Sequence, residues 1–139
     1  MNESINSLLR RYLLVLMGGL LLQGLGSLIF RLEPALPAHS PLLVRGAFGI
    51  DFWHALVHIS WGVAGLVILS VGRSATRLAG LALGFGVFYS AFGLLGVLVQ
   101  HPMGLELDAP ENVFHLLAGP LSLAIGWWAL RSRVEGDRP

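Results

Sequence analysis

Four long stretches of the chain contain no Asp, Glu or Arg: Tyr12–Phe30, Phe52–Gly72, Leu78–Gln100 and Asn112–Leu130. Each comes close to the roughly 20 residues a helix needs to cross the hydrocarbon core of a bilayer. Ten-residue segments of alternating polarity, the mark of a membrane-spanning barrel, do not occur. The pattern therefore predicts an all-α fold, a four-helix transmembrane bundle in one domain over residues 1–139. Its spans lie near 12–30, 52–72, 78–100 and 112–130, and residues 131–139 form a polar tail.

The connections follow from their residues. Arg31 to Ile50 holds Pro34, Pro37 and Pro41, which argue against a continuous helix there. Within it, "SPLLVRGAF" suits a short interfacial helix, with Ser40 as cap and Pro41 as first helical residue. The turn "GRSATR" is tight, so the second and third spans should form an antiparallel hairpin. The connection "HPMGLELD" is short and acidic.

Composition agrees with lipid as the solvent. The chain is 55% hydrophobic and 12% charged, with mean hydropathy +0.72; soluble domains are about 25% charged. The absence of cysteine excludes disulfides and thiolate metal sites. All nine basic residues are arginines, and they are one-sided. Arg10, Arg11, Arg73, Arg77, Arg131, Arg133 and Arg138 fall on one side of the predicted bundle, and Arg31 and Arg45 on the other. Positive residues stay in the cytoplasm, which places both termini there. The net charge of +1 hides this sidedness and gives no sign of a nucleic-acid partner, and none is expected. A cleaved signal peptide is not expected, because the first apolar run is too long and no small-x-small site follows promptly.

Candidate chemistry sits where the second and fourth spans begin. "DFWHALVHISWG" and "DAPENVFHLLAG" each place a His seven residues after an Asp and a Gly four residues after the His. Both stretches enter the membrane from the same side, which makes the two hairpins candidates for a parallel repeat. Asp51 and Asp108 stand where helices need N-caps, and Asp108 with Glu111 has capping-box spacing. On a helix, Asp51, His54, His58 and Gly62 share one face, as do Asp108, Glu111, His115 and Gly119. Around a square bundle the two faces meet across the core, His54 against Glu111 and His58 against His115.

Ionisable residues within a membrane are costly and normally face the protein interior. Four uses of the stripe stay open. It is a hydrogen-bonded structural layer, a b-type haem or pigment site with His58 and His115 as axial ligands, a metal site, or a proton-coupled or small-ligand pocket. In the haem reading Gly62 and Gly119 leave space beside the macrocycle. The metal reading draws on His54, His58, Glu111 and His115. His39 and His101 fall in connections and read as solvent-exposed, and Trp53, Trp127 and Trp128 mark the membrane interfaces. Trp61, one turn below His58, reads as core. Pro120 should kink the fourth span and free the carbonyl of Leu116. Glycine and small residues at steps of four, Gly80 with Gly84 and Ala118, Ser122 and Gly126, suit close packing within the chain or a homo-oligomer.

At "HALVHISWGVAGL" and "ENVFHLLAGPLSL" the chain resembles a family of small bacterial four-span membrane proteins of unknown function. The matching motifs are HxxxG at His58 and Gly62, and Asn-x-x-His at Asn112 and His115 with Gly119. Glu111 stands where that family often has Asp. The resemblance implies the four-span fold and the bacterial inner membrane, and supplies no activity. The expectation is a structural or accessory membrane subunit with a histidine layer, free or with a membrane-protein partner, rather than an enzyme. No nucleophile triad, phosphate loop or nucleotide fingerprint occurs, and "GFGVFYSAFG" lies mid-membrane without a preceding strand.

Overall fold

The computed structural model describes residues 3–71, 74–99 and 109–136, with side chains over 5–71, 74–99 and 111–132. The helices, in chain order, are α1 Glu3–Leu32, α2 Ala35–His39, α3 Leu42–Phe48, α4 Phe52–Val71, α5 Ala75–Val99 and α6 Ala109–Gly136. Among the described residues there is no strand. α1, α4, α5 and α6 are each long and apolar enough to cross a membrane, so this is a multi-pass membrane protein built as a helical bundle.

Two helices outrun their apolar segments. α1 begins at Glu3 and includes Arg10 and Arg11, and α6 runs on past Arg131. Charge marks where the hydrocarbon ends, whereas Arg, Leu and Glu all favour the helix itself. The proline-rich connection holds two short helices. Pro34 and Pro41 occupy their N-cap positions, one residue before the place expected for Pro41. Proline has no N–H to lose at a helix start, so it ends the preceding segment and seeds the next.

The bundle is two tight antiparallel pairs, α1 with α4 and α5 with α6, joined along a looser seam. Glycines set the close approach inside each pair. A Cβ at Gly62 would meet the backbone of Leu21 at 2.8 Å, and one at Gly119 would meet the backbone nitrogen of Ser90 at 2.5 Å. Gly24 abuts Ile59 and Ala55, while Gly93 abuts Leu116 and His115. These contacts share one register: Leu21 and Gly24 on α1 correspond to Ser90 and Gly93 on α5 if His58 corresponds to His115. The parallel repeat is thus visible in the packing as well as in the spacing of the motifs.

Across the seam, Leu9, Leu13, Met17 and Leu20 of α1 bury one face against Leu78, Ala82, Phe85 and Tyr89 of α5 in a single core. Tyr12 and Ser122 share a hydrogen bond of 2.6 Å that ties α1 to α6. α4 and α6 stand further apart than the members of either pair, and their side chains fill the gap. α3 lies back on α1. The Phe48 ring fills the notch over Gly26 beside Phe30, and Gln23 Nε2 donates to the carbonyl of Ala47 at 2.9 Å. α3 is thereby held over the ends of α4 and α6.

Candidate functional site

α4 opens on Asp51, whose Oδ1 accepts from the backbone N–H groups of Trp53 at 2.9 Å and His54 at 3.0 Å. Two donors that the helix cannot satisfy internally are thus paired, and the first turn holds His54 in a fixed place. His58 follows one turn later on the same face. His115 lies as far into α6 as His58 lies into α4, about 9 Å from the helix start at 1.5 Å per residue. Asp108 and His101 lie outside the described residues.

The three imidazoles converge. His54, His58 and His115 are exposed by 0%, 1% and 0% of their surface. Ring centroids are 4.6 Å apart for His54 and His58, 5.3 Å for His54 and His115, and 6.0 Å for His58 and His115. Each ring offers a nitrogen, and these nitrogens lie within 4.8 Å of one another. No ring nitrogen of the three has a hydrogen-bond partner.

Glu111, itself buried, brings Oε2 to 3.1 Å from His54 Nδ1. The contact is at ion-pair distance but out of alignment for a hydrogen bond, so we count it as electrostatic. In the repeat, Glu111 occupies the position of His54, and His115 that of His58. The donors therefore face one another about a local pseudo-two-fold axis. Asn112 is buried one position further along.

Aromatic rings wall the cluster. Phe92 lies 5.7 Å from His54 and 5.3 Å from His115, and Phe114 lies 5.8 Å from His115. Tyr89 sits 5.0 Å from the His115 ring, and its hydroxyl is buried without a partner. A cavity of about 390 Å³ reaches the site from the α3 side. Leu42, Leu43, Gly46 and Ala47 of α3 form one wall and Gln23 of α1 another. His58, His115, Glu111 and Phe114 line the rest.

Sequence reasoning overlooked Gln23, Tyr89, Phe92 and Phe114. Gln23 and Tyr89 were detectable as polar groups in the middle of otherwise apolar spans. The two phenylalanines gave no signal, because an apolar ring within a span looks the same whether it faces lipid or a site.

The remaining candidates have other work. Gly62 and Gly119 are taken up by Leu21 and Ser90, so the space a macrocycle would need beside them is filled by neighbouring helices. Trp61 packs on Phe85 at 5.5 Å and on Tyr89 at 6.2 Å, beneath the histidines. α6 remains helical through Pro120. His39 is exposed, its Nδ1 lying 2.9 Å from the carbonyl of Ala35. Ala118, Ser122 and Gly126 face the interior, whereas Gly80 and Gly84 are exposed with open space around them.

One family model, described as Domain of unknown function (DUF4383), matches residues 10–128, which takes in all three histidines and most of all four spans. No curated protein and no solved structure matches the chain.

Proposed function

The chain belongs to the DUF4383 family, and from that premise we propose that it is a metal-binding membrane protein whose site is His54, His58 and His115. The observation that carries this reading is the convergence of three buried imidazoles with no hydrogen-bond partner on any ring nitrogen. A buried polar group left unpaired costs about 1–3 kcal/mol, so a layer kept only for structure would pair these rings with one another or with backbone. An ion would satisfy three of them at once.

Imidazole donors suit zinc and its first-row neighbours. Tetrahedral geometry at about 2.0–2.1 Å per Zn–N bond sets neighbouring donors roughly 3.4 Å apart. Closing to that from 4.8 Å is within reach of rotations about the side-chain bonds. Glu111, against His54 Nδ1, is placed to orient that ring, leaving Nε2 for the ion. Three protein donors leave the fourth position open, which is the arrangement of sites that act on a bound molecule.

The arginine distribution supports an orientation with both termini in the cytoplasm, and so a site in the outer half of the bilayer, while the bacterial inner membrane is supported by the resemblance alone. Topology reporters fused at either terminus test that orientation.

Metal analysis of protein purified in detergent tests the site. About one divalent ion per chain is expected, with its loss on His58→Ala and on His115→Ala. Folded wild-type protein that neither carries a divalent ion nor takes up added Zn²⁺ or Co²⁺ would overturn the reading.

A further inference from the structure

The imidazoles border a cavity and yet are closed to it. His58 and His115 line the space beneath α3, but only 1% and 0% of their surface is exposed. Anything that reaches their nitrogens needs a wall to move. The tight pairs do not supply that movement, because α4 meets α1 and α6 meets α5 through backbone at Gly62 and Gly119. The walls left among the described residues are the side chains of Gln23 and Phe114, and the helix α3.

Of these, α3 is the most weakly held. None of its residues is buried, and Pro41 at its N-cap makes no side-chain hydrogen bond. Leu42 and Leu43 are 78% and 88% exposed, so they do not fasten it to the bundle. Two contacts do, both near its C-terminal end. The Phe48 ring covers Gly26 beside Phe30, and the Ala47 carbonyl accepts from Gln23 Nε2. That hydrogen bond is exposed, so water replaces it at little cost.

The repeat points the same way. Residues 33–51 join α1 to α4, whereas residues 100–108 suffice between α5 and α6. Both pairs nevertheless pack in one register, so the extra length in the first half is not needed to build a pair. It supplies α3, set over the place where the two halves bring their donors together. The side chains α3 turns to the cavity are Leu42, Leu43 and Ala47, none of which can bind an ion. α3 covers the site without contributing a ligand to it.

We propose that α3 is a lid, latched to α1 by Gln23 and Phe48, whose opening admits a divalent ion to the histidines from the membrane surface. Pro41 and Gly49 at its two ends are the joints. That the cargo is an ion rests on the metal reading above; that α3 controls access to the imidazoles does not.

The test uses full-length protein in lipid nanodiscs, stripped of metal and treated with diethyl pyrocarbonate, which acylates accessible neutral imidazole. Mass spectrometry follows His58 and His115, with exposed His39 as the reference. The chain has no cysteine, so Gly26→Cys with Phe48→Cys introduces the only thiols. A Cβ at Gly26 stands 3.5 Å from Phe48 Cγ, which puts the two Cβ atoms near the roughly 3.5–4.5 Å that a disulfide spans. Oxidation with diamide should slow modification of His58 and His115 about tenfold or more, and reduction should restore it. Gln23→Leu removes the latch donor at similar size and should speed modification about three- to tenfold.

Equal modification of oxidised and reduced protein, or of Gln23→Leu and wild type, overturns the lid. So does modification that Phe114→Ala alone accelerates, which would put the entrance at α6. Uptake of Co²⁺ by the same samples keeps the two readings apart. Lock-dependent modification in protein that takes up no ion sinks the metal and retains the lid. Uptake equally fast in locked and unlocked protein retains the metal and sinks the lid.

Discussion

Gly119→Ala adds one methyl group where the structure has no room for it. The new Cβ would stand 2.5 Å from the backbone nitrogen of Ser90 and 2.6 Å from its Oγ, against 3.4–4 Å for ordinary contact. Relief requires α5 and α6 to separate by about 1 Å, because a backbone atom cannot rotate aside. Overpacking of this kind costs about 1–3 kcal/mol, and a clash with backbone belongs at the upper end. Alanine returns about 1 kcal/mol through its better helix propensity, which leaves a net loss of about 2 kcal/mol.

Gly84→Ala is the control. Gly84 is exposed with nothing within 4 Å of a Cβ, so that variant should be neutral or slightly more stable. Gly86→Ala clashes with the Leu123 backbone and the Gly119 carbonyl across the same interface. One separation relieves both clashes, so the double variant should lose less than the sum of the singles. His115 sits one turn before Gly119, so the same movement draws it away from His54 and His58 and should weaken metal binding. Reversible unfolding in mixed micelles reads the stability, and titration with Co²⁺ reads the site. Equal stability of Gly119→Ala and Gly84→Ala would refute the packing argument.

Three further outcomes follow from the geometry. Glu111→Gln keeps the shape of the carboxylate but removes its charge beside His54, and should weaken metal binding about 10–100-fold in a competition titration while the fold persists. Asp51→Ala leaves the N–H groups of Trp53 and His54 without their acceptor and should cost about 0.5–2 kcal/mol in the same unfolding assay, with Asp51→Asn restoring most of it. Protein expressed with excess haem should show no Soret band, because the neighbours of Gly62 and Gly119 occupy the space beside the rings.

The architecture was largely legible because lipid makes composition informative. A run of apolar residues free of charge has few alternatives to a spanning helix, so all four spans could be read directly. Their ends were less legible, since Arg10, Arg11 and Arg131 stop the hydrocarbon without stopping the helix. The facing of His58 and His115 was also readable, from the matched Asp-to-His-to-Gly spacings and helical periodicity. His54 was legible as a member of the same stripe, and the metal reading drew on it; how closely the rings approach was not, because periodicity gives a face and not a distance. The nearness of His54 to His58 follows from one turn of α4, whereas its nearness to His115 depends on how far apart α4 and α6 stand. Gly62 and Gly119 illustrate the same limit. A missing side chain announces that something comes close, and does not say whether it is a ligand or a backbone.

The donor set is divided between the two helix pairs. His54 and His58 belong to the first half of the chain, and His115 and Glu111 to the second. Neither half owns a complete site, so an ion held there is a clasp between them, and its occupancy becomes part of the energy that keeps the halves together. Co-expressed as two separate polypeptides, they should find each other more firmly the more metal is supplied. On the metal reading, the same linkage in the intact protein would turn scarcity of the ion into loosening between the two pairs.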